Sequence, residues 1–193
     1  PSPLLPPPTP YAFSRKSDLI EARNMVCDLA YDPSNTTLEN YIDETYGPIE
    51  NWDISAIGNL NRLFCSDTSL NDECRASCAY FNSDITRWNV ASVSQMRAMF
   101  YKANNFAYDI SGWNVSSVDR FNNIFGNGFS DVPALSNCTK SKIHQSYASQ
   151  NSEYWTFTYW ETLQCSPPMP PPSMPPPPMS PPALPPPPSP PPS

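Results

Sequence analysis

The sequence has little of what several common functions need. One His in 193 residues leaves scant material for His-dependent acid–base or nucleophilic chemistry. Eleven Lys and Arg stand against eighteen Asp and Glu, with no basic run, and the formal net charge of −7 argues against a nucleic-acid partner. No apolar stretch approaches the ~20 residues of a membrane-spanning helix. An initiator Met and a signal peptide are both missing from the start at Pro1, which predicts a processed product or an internal segment of a longer chain.

Proline is in excess. Six of the 27 prolines fall in the first ten residues and eighteen beyond residue 164, leaving only Pro33, Pro48 and Pro133 between. The division predicts a body of about 155 residues, long enough for one core, between two arms that cannot build one. The expected organisation is a Pro-rich arm over 1–10, a helical cap over 11–47, a repeat region over 48–130, a second cap over 131–165 and a polyproline II arm over 166–193.

Six cysteines, Cys27, Cys65, Cys74, Cys78, Cys138 and Cys165, lie in the body. Zinc sites show paired, closely spaced cysteines or added histidines; here only Cys74 and Cys78 are close, and His144 is distant. An even count in an acidic, Lys-poor chain fits disulfides in an oxidising compartment better. Three acceptor sequons agree with secretion: Asn35-Thr36-Thr37, Asn114-Val115-Ser116 and Asn137-Cys138-Thr139.

Aligning tryptophans exposes a repeat. Trp52, Trp88 and Trp113 are each followed twelve residues later by Phe64, Phe100 and Phe125. Two after each Trp come Ile54, Val90 and Val115; five after, Ile57, Val93 and Val118. Eight after come Leu60, Met96 and Phe121; eleven after, Leu63, Met99 and Ile124; three before stand Ile49, Ile85 and Ile110. Offsets five, eight, eleven and twelve suit one face of a short helix, with Ser92 and Ser117 placed to cap it, and the Ile-x-x-Trp-x-Val segment suits an extended rung. One unit cannot bury its apolar face alone, whereas three stacked units can. The first unit carries eleven extra residues near 66–80, containing Cys74 and Cys78. They read as a stapled surface loop with Cys65 as a possible partner at its base, the pairing left open.

Two stretches carry a family likeness. Asp-Ile-Ser-Gly-Trp-Asn-Val-Ser-Ser-Val (109–118) and Met-Arg-Ala-Met-Phe-Tyr-Lys-Ala-Asn-Asn-Phe (96–106) resemble the BspA-like leucine-rich-repeat surface proteins, as does the entry Gly47-Pro48-Ile49-Glu50-Asn51-Trp52. The resemblance implies an α/β repeat fold: a short right-handed leucine-rich-repeat solenoid of about three coils, exposed or secreted, serving in adhesion or structure and not as an enzyme. Asn89 and Asn114 stand where that family often has Asp.

Outside the repeat, Leu19, Ile20, Arg23, Met25, Val26 and Leu29 after Ser17 predict an amphipathic helix of about 14 residues. Thr36 and Glu39 have capping-box spacing for a second, with Gly47 just past its end. A third is expected over 138–150. The aromatic run 154–160 reads as a lid over the last unit, with a carbohydrate-stacking surface as the alternative. A Cys138–Cys165 bond tying that lid down is the favoured single pairing. His144 reads as a partly exposed surface residue. Asp53, Asn89 and Asn114, at equivalent positions, read as side chains bridging turn backbone from coil to coil rather than as a calcium ladder. That burial would disfavour Asn114 as a glycan acceptor relative to Asn35 and Asn137.

Residues 166–193 contain only Pro, Ser, Met, Ala and Leu. Such a composition favours polyproline II, which at ~3.1 Å per residue would span roughly 85 Å, against a body diameter of ~40 Å. Met169, Met174, Met179 and Leu184 recur every five residues and so fall on different faces of a three-fold helix. The Ser-Pro-Pro-Pro stretches also resemble hydroxyproline-rich glycoproteins of algal and plant walls and flagellar hairs. That likeness implies hydroxylated, O-glycosylated positions such as Pro6, Pro7, Pro8, Pro171, Pro172, Pro176, Pro177, Pro186, Pro187 and Ser189.

The leading expectation is a secreted, glycosylated structural subunit of an extracellular fibril or matrix, its partners being copies of itself joined head to tail. A surface adhesin on a Pro-rich stalk is the alternative, and a cytosolic scaffold recruiting SH3-, WW- or profilin-like domains the third. No cofactor, metal or catalytic residue is implied.

Overall fold

Each repeat unit is closed by hydrogen bonds that span three residues, in a computed structural model that describes residues 9–126, 132–155, 157–163 and 165. The Trp N–H donates to the Ile carbonyl three residues back: Trp52 to Ile49 at 3.2 Å, and Trp88 to Ile85 and Trp113 to Ile110 at 3.1 Å. The next pair of apolar columns closes likewise, through Ile57 to Ile54, Val93 to Val90 and Val118 to Val115. A third turn runs from Leu63 to Leu60, Met99 to Met96 and Ile124 to Phe121. Each turn sends the side chains at both its ends inward, and all of these residues are buried.

Units stack through a second set of backbone bonds in one register. Leu60, Arg62 and Phe64 donate to the carbonyls of Gln95, Arg97 and Met99 at 2.7–2.9 Å, and Met96, Ala98 and Phe100 donate to Arg120, Asn122 and Ile124 at 2.7–3.0 Å. Alternate N–H groups therefore face the neighbouring unit while turns close between them. At the middle of this run Arg62, Ala98 and Asn123 hold positive φ of 60°, 53° and 57°. A left-handed residue there interrupts both a helix and an extended strand.

That geometry overturns the α/β leucine-rich-repeat solenoid. Among the described residues there are three α-helices and no sheet, only isolated parallel bridges joining Ala12 to Asp53, Asn59 to Gln95 and Gln95 to Arg120. All three helices lie outside the repeats: α1 (Lys16–Tyr31), α2 (Thr36–Thr45) and α3 (Asn137–Gln150). Ser92 and Ser117 cap no helix, because the run they precede is a chain of turns. The expected polyproline II arms, with Pro6, Pro7, Pro8, Pro171, Pro172, Pro176, Pro177, Pro186, Pro187 and Ser189, lie outside the described residues.

Identical side chains superpose when units repeat in register. Phe64, Phe100 and Phe125 form a column with ring centroids 5.6 Å apart at both steps and planes within 11°. Phe81 and Phe106 stack beside it at 6.0 Å. The tryptophans also link the units, since the indole N–H of Trp88 donates to Ile49 O at 2.9 Å and that of Trp113 to Ile85 O at 3.3 Å.

At the first end, Phe13 N–H donates to Asp53 O and Asp53 N–H to Tyr11 O, both at 2.9 Å, and Lys16 Nζ donates to Asn61 O at 3.0 Å. Asn35, rather than Thr36, caps α2 by accepting from Leu38 N–H, and α1 starts one residue before Ser17 with no side-chain cap. At the far end, Ser136 caps α3 by accepting from Thr139 N–H, and α3 lies on the third unit. There the Tyr147 hydroxyl donates to Ile110 O at 3.0 Å, doing for the last unit what each indole does for the unit before it.

Candidate functional site

All six cysteines are paired: Cys27–Cys78, Cys65–Cys74 and Cys138–Cys165. The insertion is held twice, by Cys65–Cys74 across its base and by Cys78 to α1. Cys138–Cys165 fixes the last residue before the Pro-rich arm to the first turn of α3. Among the described residues, no cluster of three or more His, Cys, Asp or Glu side chains could hold a metal ion.

Arg23 lies buried where α1 meets the insertion. Its guanidinium donates to Glu73 O at 2.7 Å and to Cys78 Sγ at 3.4 Å, while Nε has no partner among the described residues. Burial, followed by repulsion from Arg75, lowers its pKa to about 10, so it stays charged at neutral pH. Nearby, Asp28 accepts from Arg75 and from Ser77 Oγ. The Arg75 hydrogen bond holds the Asp28 carboxyl below the usual carboxylate range.

Asn35, Asn114 and Asn137 are all exposed. Asn114 is therefore not buried between units. Its Oδ1 accepts from Ser116 N–H at 3.2 Å and Ser116 Oγ at 2.7 Å. Asp53 and Asn89 close the same two-residue turns onto Ser55 and Ala91, so the three equivalent side chains act within their own units and not from coil to coil. Bridging between units is done instead by side chains such as Asn61, whose Oδ1 accepts from Arg97 N–H at 2.7 Å and whose Nδ2 donates to Gln95 Oε1 at 2.8 Å, and Asn82, whose Oδ1 accepts from Ala107 N–H at 3.1 Å.

Trp155, Phe157 and Trp160 are buried over Phe121 and Phe125, which makes these three rings a lid that faces the core and not a sugar. His144 anchors it: Trp155 Nε1 donates to His144 Nδ1 at 3.0 Å.

Two surface grooves combine aromatic side chains with open space. One, of about 420 Å³, lies between the chain at Thr9–Ala12 and the end of α2, with Tyr11, Tyr46, Asp43 and Glu44 on its walls. Burial, then the negative groups around it, raise the Tyr46 pKa. The other, of about 450 Å³, is lined by Tyr31, Ala76, Ser77, Ala79 and Tyr80. Sequence reasoning passed over both. For the second a signal was present, since Tyr31 is one helical turn beyond Cys27 and Tyr80 two residues beyond Cys78, so the Cys27–Cys78 bond brings the two rings together.

Against known proteins, the family described as "Mycoplasma protein of unknown function, DUF285" matches residues 35–148. The chain belongs to this family. The DUF285 match takes in α2, the three repeat units and most of α3, and is consistent with the resemblance to BspA-like surface proteins. No curated protein and no solved structure matches the chain. Three disulfides fit an extracellular or surface location, and among the described residues no helix is long and apolar enough to cross a membrane.

Proposed function

We propose that this DUF285 chain is a secreted, glycosylated structural subunit of an extracellular fibril or matrix, in which disulfide-locked bodies are joined through Pro-rich arms. The observation that carries the reading is the Cys138–Cys165 bond at the root of the C-terminal arm. Tension on residues 166–193 passes through sulfur into α3. From α3 it passes into the third unit through Ser146 to Ser111 O, Tyr147 to Ile110 O and Gln150 to Trp113 O. Arms without charge or N–H-rich backbone are stiff at low entropic cost. Three exposed sequon asparagines support glycosylation.

A surface adhesin carrying the same body on a stalk is the second reading, favoured by the two exposed aromatic grooves. Negative-stain microscopy of native material separates the two. Filaments or a regular matrix are expected, and dispersed monomers would reject the structural reading in favour of the adhesin. Intact mass before and after reduction and deglycosylation should show six fewer free thiols than cysteines and a carbohydrate increment; an unmodified mass with free thiols rejects secretion altogether.

A further inference from the structure

We propose that the groove between Tyr31 and Tyr80 is a docking site for the Pro-rich segment 166–193 of a second copy of this chain. The inference rests on the structural-subunit reading above and names the contact that would join one body to the next.

The site is built. Tyr31 and Tyr80 are 64% and 47% exposed, yet their rings meet edge to face with centroids 5.2 Å apart. Large aromatic side chains held this open normally fold down onto neighbouring apolar surface, because exposure of each ring is unfavourable. Here they stand on two elements that cannot shift independently. The Cys27–Cys78 disulfide locks α1 to the Ala76–Tyr80 turn, and Asp28 clamps the same joint through Arg75 and Ser77. The groove is therefore preformed, which lowers the ordering cost of binding.

Its chemistry selects the occupant. None of the five lining residues is charged, and the floor is Ala76 and Ala79. The segment 166–193 is likewise uncharged and offers proline rings and Met side chains to aromatic faces. Polyproline segments dock in aromatic-lined grooves because they are already extended and have unpaired carbonyls. The phenol hydroxyls of Tyr31 and Tyr80 are donors of the kind such carbonyls need. The groove beside Tyr11 and Tyr46 matches less well, since Asp43 and Glu44 bring negative charge and further acceptors to a ligand that is uncharged and rich in unpaired proline carbonyls.

Position decides between copies. The arm leaves from Cys165, bonded to α3 on the third unit, whereas the tyrosine groove lies on the insertion of the first unit. As a polyproline II rod, which its composition favours, the segment would span roughly 85 Å, more than a body of ~40 Å, and would reach the first unit of a neighbour. The contact is heterologous and propagates.

The test is sedimentation of the full chain across concentration, with a synthetic 166–193 peptide as competitor. Wild type should self-associate and be dissociated by excess peptide. Tyr31→Ala/Tyr80→Ala should weaken association most, at least about thirtyfold, while Tyr31→Phe/Tyr80→Phe, which keeps the rings but removes the hydroxyl donors, should weaken it by about threefold to tenfold. Unchanged association in the alanine variant overturns the proposal. So does a peptide that fails to compete, a wild-type chain that stays monomeric and binds no added peptide, or a β-1,4-glucose hexasaccharide that binds the tyrosines where the peptide does not. Filaments that persist in the alanine variant remove this contact and leave the fibril reading intact. Native monomers whose tyrosines still bind the peptide remove the fibril reading alone.

Discussion

The two ends of the repeat stack are closed by different means. At the first unit backbone pairing joins side-chain packing: Tyr11 to Phe13 runs alongside Asp53, Phe13 and Tyr46 pack on Trp52, and a lysine from α1 reaches Asn61 O. At the third unit the cover is a helix, and a helix has already used its own backbone groups. Side chains must do the work there. Tyr147, Gln150 and Asn151 meet the backbone of Ile110, Trp113, Val115 and Val118, and the aromatic lid covers the phenylalanine column. Polar groups paired backbone to backbone survive side-chain substitution, whereas polar groups met by side chains depend on each one.

The largest effects should come from the disulfides that hold each cover. On chain-entropy grounds, removing Cys27–Cys78, with a separation of 51, costs about 4 kcal/mol, Cys138–Cys165 (separation 27) about 3.5 and Cys65–Cys74 (separation 9) about 2.5. Paired Cys→Ala variants in thermal unfolding should keep that order. Equal losses at all three would mean that loop length is not what matters.

Next come single side chains, where the asymmetry is sharpest. Tyr147→Phe removes one of the two donors to the buried Ile110 carbonyl, the Trp113 N–H remaining, and should cost about 1–1.5 kcal/mol. Lys16→Met at the opposite end removes the donor to both Asn61 O and Glu73 and should cost no more than about 1 kcal/mol, because both partners lie at part-buried sites that water can reach. Chemical denaturation of the two variants checks this. A larger loss at Lys16 would reverse the comparison.

Acid should loosen both covers. Asp28 is held low by Arg75, despite the opposing effect of burial. At Asp109 burial works upward, but hydrogen bonds from Ser111 and Lys142 outweigh it. Asp67, on the insertion, is lowered to about 2 by Lys102 and Ser69. A carboxylate with a folded pKa below its unfolded one contributes stability above about pH 4 that disappears as pH falls through the folded value. Stability should therefore decline from about pH 4 towards pH 2. A flat profile over that window would show these contacts to be absent in solution.

The smallest effect is at the left-handed position. Asn123→Gly and Arg62→Gly relieve positive φ and should stabilise by up to about 1 kcal/mol, less at Asn123 because Asn accepts that conformation more readily. Destabilisation by Arg62→Gly would mean its side chain contributes more than the backbone strain costs.

Much of the stack was legible because identical residues pack on one another: Trp52, Trp88 and Trp113, and Phe64, Phe100 and Phe125, mark the units unaided. The helix within each unit was misread because three-residue spacing suits a helical face and a hydrogen-bonded turn equally. What separates them is the left-handed residue, and Arg62 and Ala98 are not residues that announce one. The tyrosine groove was missed because its two rings lie 49 positions apart and meet only through Cys27 and Cys78.

Composition and spacing by themselves determined that there would be a repeating body with Pro-rich arms, since an apolar pattern repeated at fixed offsets implies repeated packing of like on like, and proline content acts through local backbone chemistry. Cys138–Cys165 is the one pairing the sequence favoured; which partner Cys27 and Cys78 find, which face the insertion presents and how each end is covered were decided only in the folded chain. Those outcomes depend on the direction in which α1, the insertion and α3 leave the stack, and a linear pattern of apolar residues does not encode direction.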